Sequence, residues 1–221
     1  MPEIISPQWD LIDDVLLDMD GTLLDKHFDD HFWEEYVPRQ YAKINRISDD
    51  EASERLLDFY RSWEGTLNWT DLDFWSRELG LDIPALKRQV DHLIAVHPFV
   101  LQFLDGVRGA GKNVYLVTNA HGKALDLKME KTSLAGKFDG IYTSHQFGAP
   151  KEDLRCWHSM QEAIGFDPAR TLLGEDTLAV LDTAARFGIR YLVHVANASS
   201  VRPPQTTDRY FSVGTFGEIM P

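Results

Sequence analysis

The amino-acid order predicts an α/β protein: a Rossmann-like parallel sheet with helices on both faces and an inserted all-helical cap. Three observations carry this expectation. An apolar run at 15–20, "VLLDMD", has the character of a buried strand. Residues 24–96 are rich in helix formers and aromatics without period-two alternation. From about His97 onward, helix-like and strand-like segments alternate. Such alternation builds βα units and therefore a parallel sheet. The first strand belongs to the same sheet, which makes the helical block an insertion after it. The expected organisation is a core of residues 1–24 and 97–221 and a helical cap of residues 25–96.

Strand one runs into "DMDGTLLD" and turns at Gly21-Thr22. Within the insertion, "DDEASERLLDFYRSWEG" at 49–65 opens on acids, spaces its apolar residues helically and closes on glycine, as an amphipathic helix does. A second helix is expected over "DLDFWSRELG" at 71–80, again stopped by glycine. The alternating half then predicts helix 98–111, strand 113–119, helix 123–136 and strand 140–144. Helix 151–165, strand 171–176, helix 178–188 and strand 190–196 follow. The loop-like stretch is "NASSVRPPQTTD" at 197–208.

A chain of 221 residues suits one domain, or one domain with a substantial insertion. Its formal net charge of -13, with no basic run, speaks against binding a nucleic acid backbone. A small anionic substrate stays compatible if a metal handles it locally. The single cysteine, Cys156, excludes an intramolecular disulfide and fits a reducing compartment. The opening "MPEIISPQWDLIDD" is too acidic and too poor in apolar residues for a signal peptide, and no later run is long enough to span a bilayer. The expectation is a cytoplasmic protein without a membrane partner, as monomer or homodimer.

Asp18 and Asp20 lie one residue apart where strand one stops. Carboxylates so close repel each other unless a proton or cation relieves them, so the stretch implies a bound cation. In open α/β sheets ligands sit beyond the carboxyl ends of the strands. Those ends carry Asp18 and Asp20, then Thr118 and Asn119, then Glu175 and Asp176, while Lys151 follows the "GIYTS" strand and opens a helix. Four carboxylates (Asp18, Asp20, Glu175 and Asp176) suit a hard divalent cation such as Mg2+, whose shell a substrate phosphate oxygen can complete. Asp18 can then attack phosphorus in line, and the aspartyl-phosphate is later hydrolysed. Asp20 can protonate the leaving oxygen and afterwards take a proton from the attacking water. Thr118, Asn119 and Lys151 would bind the phosphate, holding and neutralising its equatorial oxygens.

"DMDGT", a strand ending in "VTN", Lys151 and "GEDTLAVLDTA", in that order, resemble the four motifs of the haloacid dehalogenase superfamily, with a helical cap inserted after the first. The resemblance covers the whole chain. Haloacid dehalogenases themselves typically lack the second aspartate of the first motif, so Asp20 points to the phosphatase branch. There, "DMDGTLLD", "LNWTDLDFWSRELGLD", "TNAH" and "FGAPKEDLRCWH" are similar to the bacterial GMP/IMP nucleotidases, which remove the 5'-phosphate from purine mononucleotides. Two departures stand out. Motif four reads Glu175-Asp176 where two aspartates are common, and Lys151 is followed by Glu152 where many members have proline. The family places substrate selection in the cap, so Trp33, Tyr36 and Trp69 are candidates for stacking on a base, while most of the insertion's aromatics must form its own core.

Plainer readings compete with these. Asp18 and Asp20 can be a solvated turn, Thr118 and Asn119 can cap the helix near His121, and an isolated lysine is usually a surface charge; motif order favours function in each case. Asp182 is expected as a supporting or surface acid. In "GVRGAGKN", Gly106, Gly111 and Lys112 match P-loop spacing, but Asn113 replaces the Ser or Thr and the segment runs from helix into strand, so it is a helix-ending turn. His27 and His31 have i, i+4 spacing without the zinc-protease glutamate and are expected on a solvated helix. The sequon at Asn197 has no secretory context. The rival functions are a phosphatase for phosphoglycolate or a sugar phosphate, a phosphomutase, and a non-catalytic binding module.

Overall fold

The first strand, β1 (Asp14–Leu17), is buried along its whole length, as a central strand covered on both faces must be. The computed structural model describes residues 4–221. Residues 1–3 of the expected core lie outside the described residues.

After β1 the chain enters the helical insertion. Helix α1 (His27–His31) passes through a π-helical turn at Phe32–Tyr36 into α2 (Val37–Asn45). Pro38, early in α2, accounts for the widened turn: it lacks an N–H and its ring crowds the carbonyl one turn back. Helix α3 (Asp49–Arg61) is capped by Ser48, whose hydroxyl accepts the Glu51 N–H at 3.2 Å, and its first turn carries three acids. The short α4 (Leu67–Thr70) precedes α5 (Leu72–Leu79), where Asp71 accepts two backbone N–H groups and Gly80 closes the helix in the left-handed region. Helix α6 (Ile83–Gln89), capped by Asp82, had no counterpart in the sequence reading.

The alternating half then builds α7 (Val100–Gly109), β2 (Asn113–Thr118), α8 (Gly122–Lys131), β3 (Gly140–Thr143), α9 (Ser144–Phe147) and α10 (Leu154–Ile164). It continues with β4 (Thr171–Glu175), α11 (Leu178–Phe187), β5 (Tyr191–Val195) and β6 (Phe211–Val213). Among the described residues the sheet has six strands, all parallel, in the order β3-β2-β1-β4-β5-β6. Period-two alternation sorts the strand residues onto two faces. Val15, Leu17, Val114 and Leu116 join Val100, Phe103 and Leu127 of α7 and α8, and this cluster continues into the insertion through Phe28, Phe32 and Trp75. Leu16, Val117, Leu173 and Leu192 meet Trp157, Met160 and Leu181 of α10 and α11 on the other face.

Two details of this half differ from the sequence expectation. Lys151 does not open α10: that helix begins at Leu154 behind the Asp153 cap, and α9 occupies part of the approach. Strand β6 follows the 197–208 loop. The 106–113 segment is a helix-to-strand turn, as expected.

Candidate active site

Strand order puts the carboxyl ends of β2, β1 and β4 side by side, and the residues just beyond them form one site. Asp18 leaves β1 with its N–H on the Gly174 carbonyl at 3.0 Å, so β4 still sets its backbone register. Asp18, Glu175 and Asp176 are all buried, and one carboxylate oxygen from each lies within 4.8 Å of the others. Into this group reaches Lys151, itself 1% exposed. Its ammonium donates to Asp18 Oδ1 at 2.5 Å, to Glu175 Oε2 at 2.7 Å and to the Val117 carbonyl at 3.1 Å. Lys26 approaches from the solvent side, 3.2 Å from Asp176 Oδ2.

The loop carrying Lys151 is fixed by side chains on both flanks. Asn119 Oδ1 accepts the Lys151 N–H at 2.9 Å, and Asn119 Nδ2 donates to Glu152 Oε2 at 3.0 Å. The Trp157 indole donates to the Lys151 carbonyl at 2.7 Å. Glu152, the departure from the common lysine-proline pair, is thus a partner of Asn119. Thr118 is buried, and its hydroxyl accepts the Ala120 N–H at 3.0 Å. Gly21 explains itself by proximity: its φ is +87°, and a Cβ there would stand 2.5 Å from Asp176 Oδ2.

The electrostatics of this group suit a cation. Burial raises the Asp18 carboxyl above its ordinary range, and the charge of Asp176 adds to the rise against the pull of Lys151. Burial and Asp18 likewise push Glu175 well up. Burial opposes the charge on Lys151, but Asp18 and Glu175 outweigh it and keep the ammonium protonated. Three converging carboxylates against one deeply buried ammonium leave a surplus of negative charge, and their all-oxygen donor set fits a hard divalent cation.

Asp20 stands apart from this group. Its Oδ1 accepts from Lys128 Nζ at 2.6 Å, and burial raises its carboxyl to about 6 despite that partner. A second set of possible metal-binding side chains, Asp71, Asp73 and His121, lies half-buried between insertion and core. Its acids are already engaged: Asp71 caps α5, and Asp73 accepts from Lys123 at 2.5 Å. Beside it, Thr70 Oγ1 pairs with His145 Nε2 at 2.9 Å.

Of the cap aromatics, Trp33 packs edge-on against Phe32 and Tyr60, with centroids at 4.9 and 5.6 Å. The Tyr36 hydroxyl donates to Gln89 at 2.5 Å, while Trp69 is exposed at 37%. Asp182 accepts from Arg209 and Tyr210 and ties α11 to the segment before β6, a supporting role. His27 and His31 face each other on α1, and His31 lies 3.5 Å from Glu35. The sequence singles out Glu152 only as a departure from the family pattern and gives no sign of Lys26, Lys128 or Asp29. None carries a spacing signal, because each acts through a partner distant in the chain.

A family model described as haloacid dehalogenase-like hydrolase matches residues 12–188. The chain is 40% identical over 217 residues to the GMP/IMP nucleotidase YrfG of Escherichia coli (strain K12), covering 98% of both. It is 24% identical to the (S)-2-haloacid dehalogenase of Pseudomonas sp. (strain YL) over 74% of each chain. Among solved structures, an HAD phosphatase from Thermococcus onnurineus superposes with a TM-score of 0.79 at 24% identity, covering 94% of this chain and 96% of the other. Among the described residues no helix is long and apolar enough to cross a membrane.

Proposed function

The chain belongs to the haloacid dehalogenase-like hydrolases, and on that premise we propose that it is a Mg2+-dependent phosphatase of purine 5'-mononucleotides acting through a phosphorylated Asp18. The observation that carries the chemistry is the buried group of Asp18, Glu175 and Asp176 around the Lys151 ammonium. The substrate rests on the 40% identity to a GMP/IMP nucleotidase across nearly the full length of both chains. We assign residues 25–96 as the cap and the flanking segments as the catalytic core.

Asp18, Glu175 and Asp176 would hold Mg2+, while the Asp20 side chain, outside that group, is held by Lys128. The ion, when bound, supplies positive charge to the phosphate oxygens. Lys151 neutralises the phosphoryl group from the Asp18 side, Thr118 at the end of β2 would bind its oxygens, and Asn119 keeps the Lys151 backbone in place. The Asp18 carboxylate forms a bond to phosphorus as the bond to the ribose 5'-oxygen breaks, and Asp20 gives that oxygen its proton. In the second step water attacks phosphorus, Asp20 takes the water's proton, and the phosphorus bond to Asp18 breaks, releasing inorganic phosphate. Of the three candidate base-stacking residues, Trp69 is the most exposed.

The test is phosphate release in Mg2+ from GMP, IMP, AMP, UMP, phosphoglycolate and glucose phosphates side by side, with Asp18→Asn as the blank. GMP and IMP should lead, and Asp18→Asn should be inactive while folded. Release only from the small phosphates would discard the nucleotide reading and keep the chemistry. Conversion of one sugar phosphate to its isomer without free phosphate would establish a mutase instead.

A further inference from the structure

We propose that Lys128 is a positioning residue for Asp20, anchored to the cap through Asp29. The inference rests on the phosphatase reading above, in which Asp20 handles the proton of the leaving oxygen.

Lys128 projects from α8 of the core and is 2% exposed. Its ammonium donates to Asp20 Oδ1 and to Asp29 Oδ2, each at 2.6 Å. Asp29, on α1 of the insertion, accepts at its other oxygen from Lys87 Nζ of α6, again at 2.6 Å. Lys87 is itself buried, with its ammonium over the Phe28 and Phe32 rings at 4.6 and 4.4 Å from their centroids. Three contacts of 2.6 Å therefore link the insertion to the carboxylate of Asp20 in an unbroken line. The set balances internally, two ammonium groups against two carboxylates, and shares no member with the Asp18, Glu175, Asp176 and Lys151 group.

A buried lysine is costly unless its charge is paired and its donors are used. Asp29 and Lys87 alone would form a closed pair that stabilises the insertion without Lys128. Placing a further buried ammonium between Asp29 and Asp20 spends an extra charge on one result: Asp20 Oδ1 is held in a fixed place. Asp20 stands in the turn after β1, where no helix or strand fixes its side chain, and it is only partly shielded from solvent. With Oδ1 held by Lys128, the other carboxylate oxygen is left to meet the leaving oxygen. Because the far end of the line belongs to the insertion, the cap's seating and the orientation of Asp20 are linked.

A purely structural Lys128 and a positioning one are separated by the leaving group. Protonation matters for an alkoxide such as the ribose 5'-oxygen and hardly at all for nitrophenolate, which departs without a proton. General acid catalysis contributes about 10²–10⁴-fold, so Lys128→Met should lower kcat/KM for GMP by about 10²-fold. The same variant should lower kcat/KM for p-nitrophenyl phosphate by less than about threefold, since this constant reports only the steps through loss of the leaving group. In an Asp20→Asn background Lys128→Met should cost GMP hydrolysis nothing further, because residues that act as a unit do not add. If Lys128→Met does not fold, Asp29→Asn, which keeps the Lys128 contact to Asp20 and loosens its anchor, should show a smaller loss with the same bias toward GMP. Equal losses on both esters, or none, in the folded variant would overturn the proposal. A parent protein that cleaves another alkyl phosphate but not GMP removes the nucleotide reading alone, and the comparison is then made with that ester. A parent that releases no phosphate from any ester removes both.

Discussion

Lys151 gathers more of the site than any other side chain: Asp18 and Glu175 accept from its ammonium, Asn119 from its amide, and its carbonyl takes the Trp157 indole. An exposed lysine would leave Asp18 and Glu175 as two buried acids without the ammonium they share, and removing one member of a buried ion pair costs about 3–5 kcal/mol. Gly21 is the complementary case, a residue defined by what it lacks. A Cβ would strike the Asp176 carboxylate, and the left-handed backbone adds a cost of about 1–2 kcal/mol for an L side chain. Gly21→Ala is therefore expected to lower thermal stability and to raise the Mg2+ concentration needed for half-maximal phosphate release. An unchanged Mg2+ titration would show that Asp176 takes no part in holding the ion. The convergence of Asp18, Lys151, Glu175 and Asp176 is legible because each ends or follows a strand in a fixed motif order, whereas Asp20, from the same strand end, stands apart with Lys128. Glu152 was legible only as an oddity, since its partner Asn119 lies 33 residues earlier.

The elements obey local chemistry where they are long and capped. Helix α3 begins at its serine and acids, α5 ends at its glycine, and α10 starts at Asp153, whose carboxylate accepts the Arg155 N–H at 2.8 Å. That last cap matters for the site, because it fixes where the chain stops being loop after Lys151. Asp153→Ala should cost about 1 kcal/mol of stability, read as a lower Tm, with GMP turnover at low temperature reduced little. A loss of turnover at full folded population would show that the cap sets the Lys151 loop itself. Three of the elements without a counterpart in the sequence expectation share a cause. Strand β6 is three residues long with only Val213 buried, α9 is four residues long, and α6 is seven with proline in its first turn. Segments so short carry too few periods of burial to be told from loops, and they owe their form to neighbours in space.

Insertion and core meet through charges as well as through a shared apolar cluster. Lys128 reaches Asp29 across 99 residues of chain. From the loop after β5, Arg202 reaches Asp30 at 3.0 Å and Glu34 at 2.6 Å, 172 and 168 residues away. The same loop accepts the Lys26 N–H at the Ala198 carbonyl and gives the Ser200 N–H to Asp25, so it clasps the entry to the insertion. None of these pairings was legible in the sequence, because contacts at such separations leave no periodic trace. The first five strands of the sheet and the insertion's place after β1 are legible from alternation. The proposed chemistry runs through the Asp18 carboxylate, and trapping its phosphorylated form is the decisive experiment. The protein is mixed with GMP labelled in its phosphate, quenched in acid within milliseconds, treated with borohydride, and digested for mass spectrometry. The proposal predicts covalent label before quenching and the reduction product of an acyl phosphate in the peptide containing Asp18, absent from Asp18→Asn. Rapid phosphate release with no label and an unmodified Asp18 peptide would contradict it.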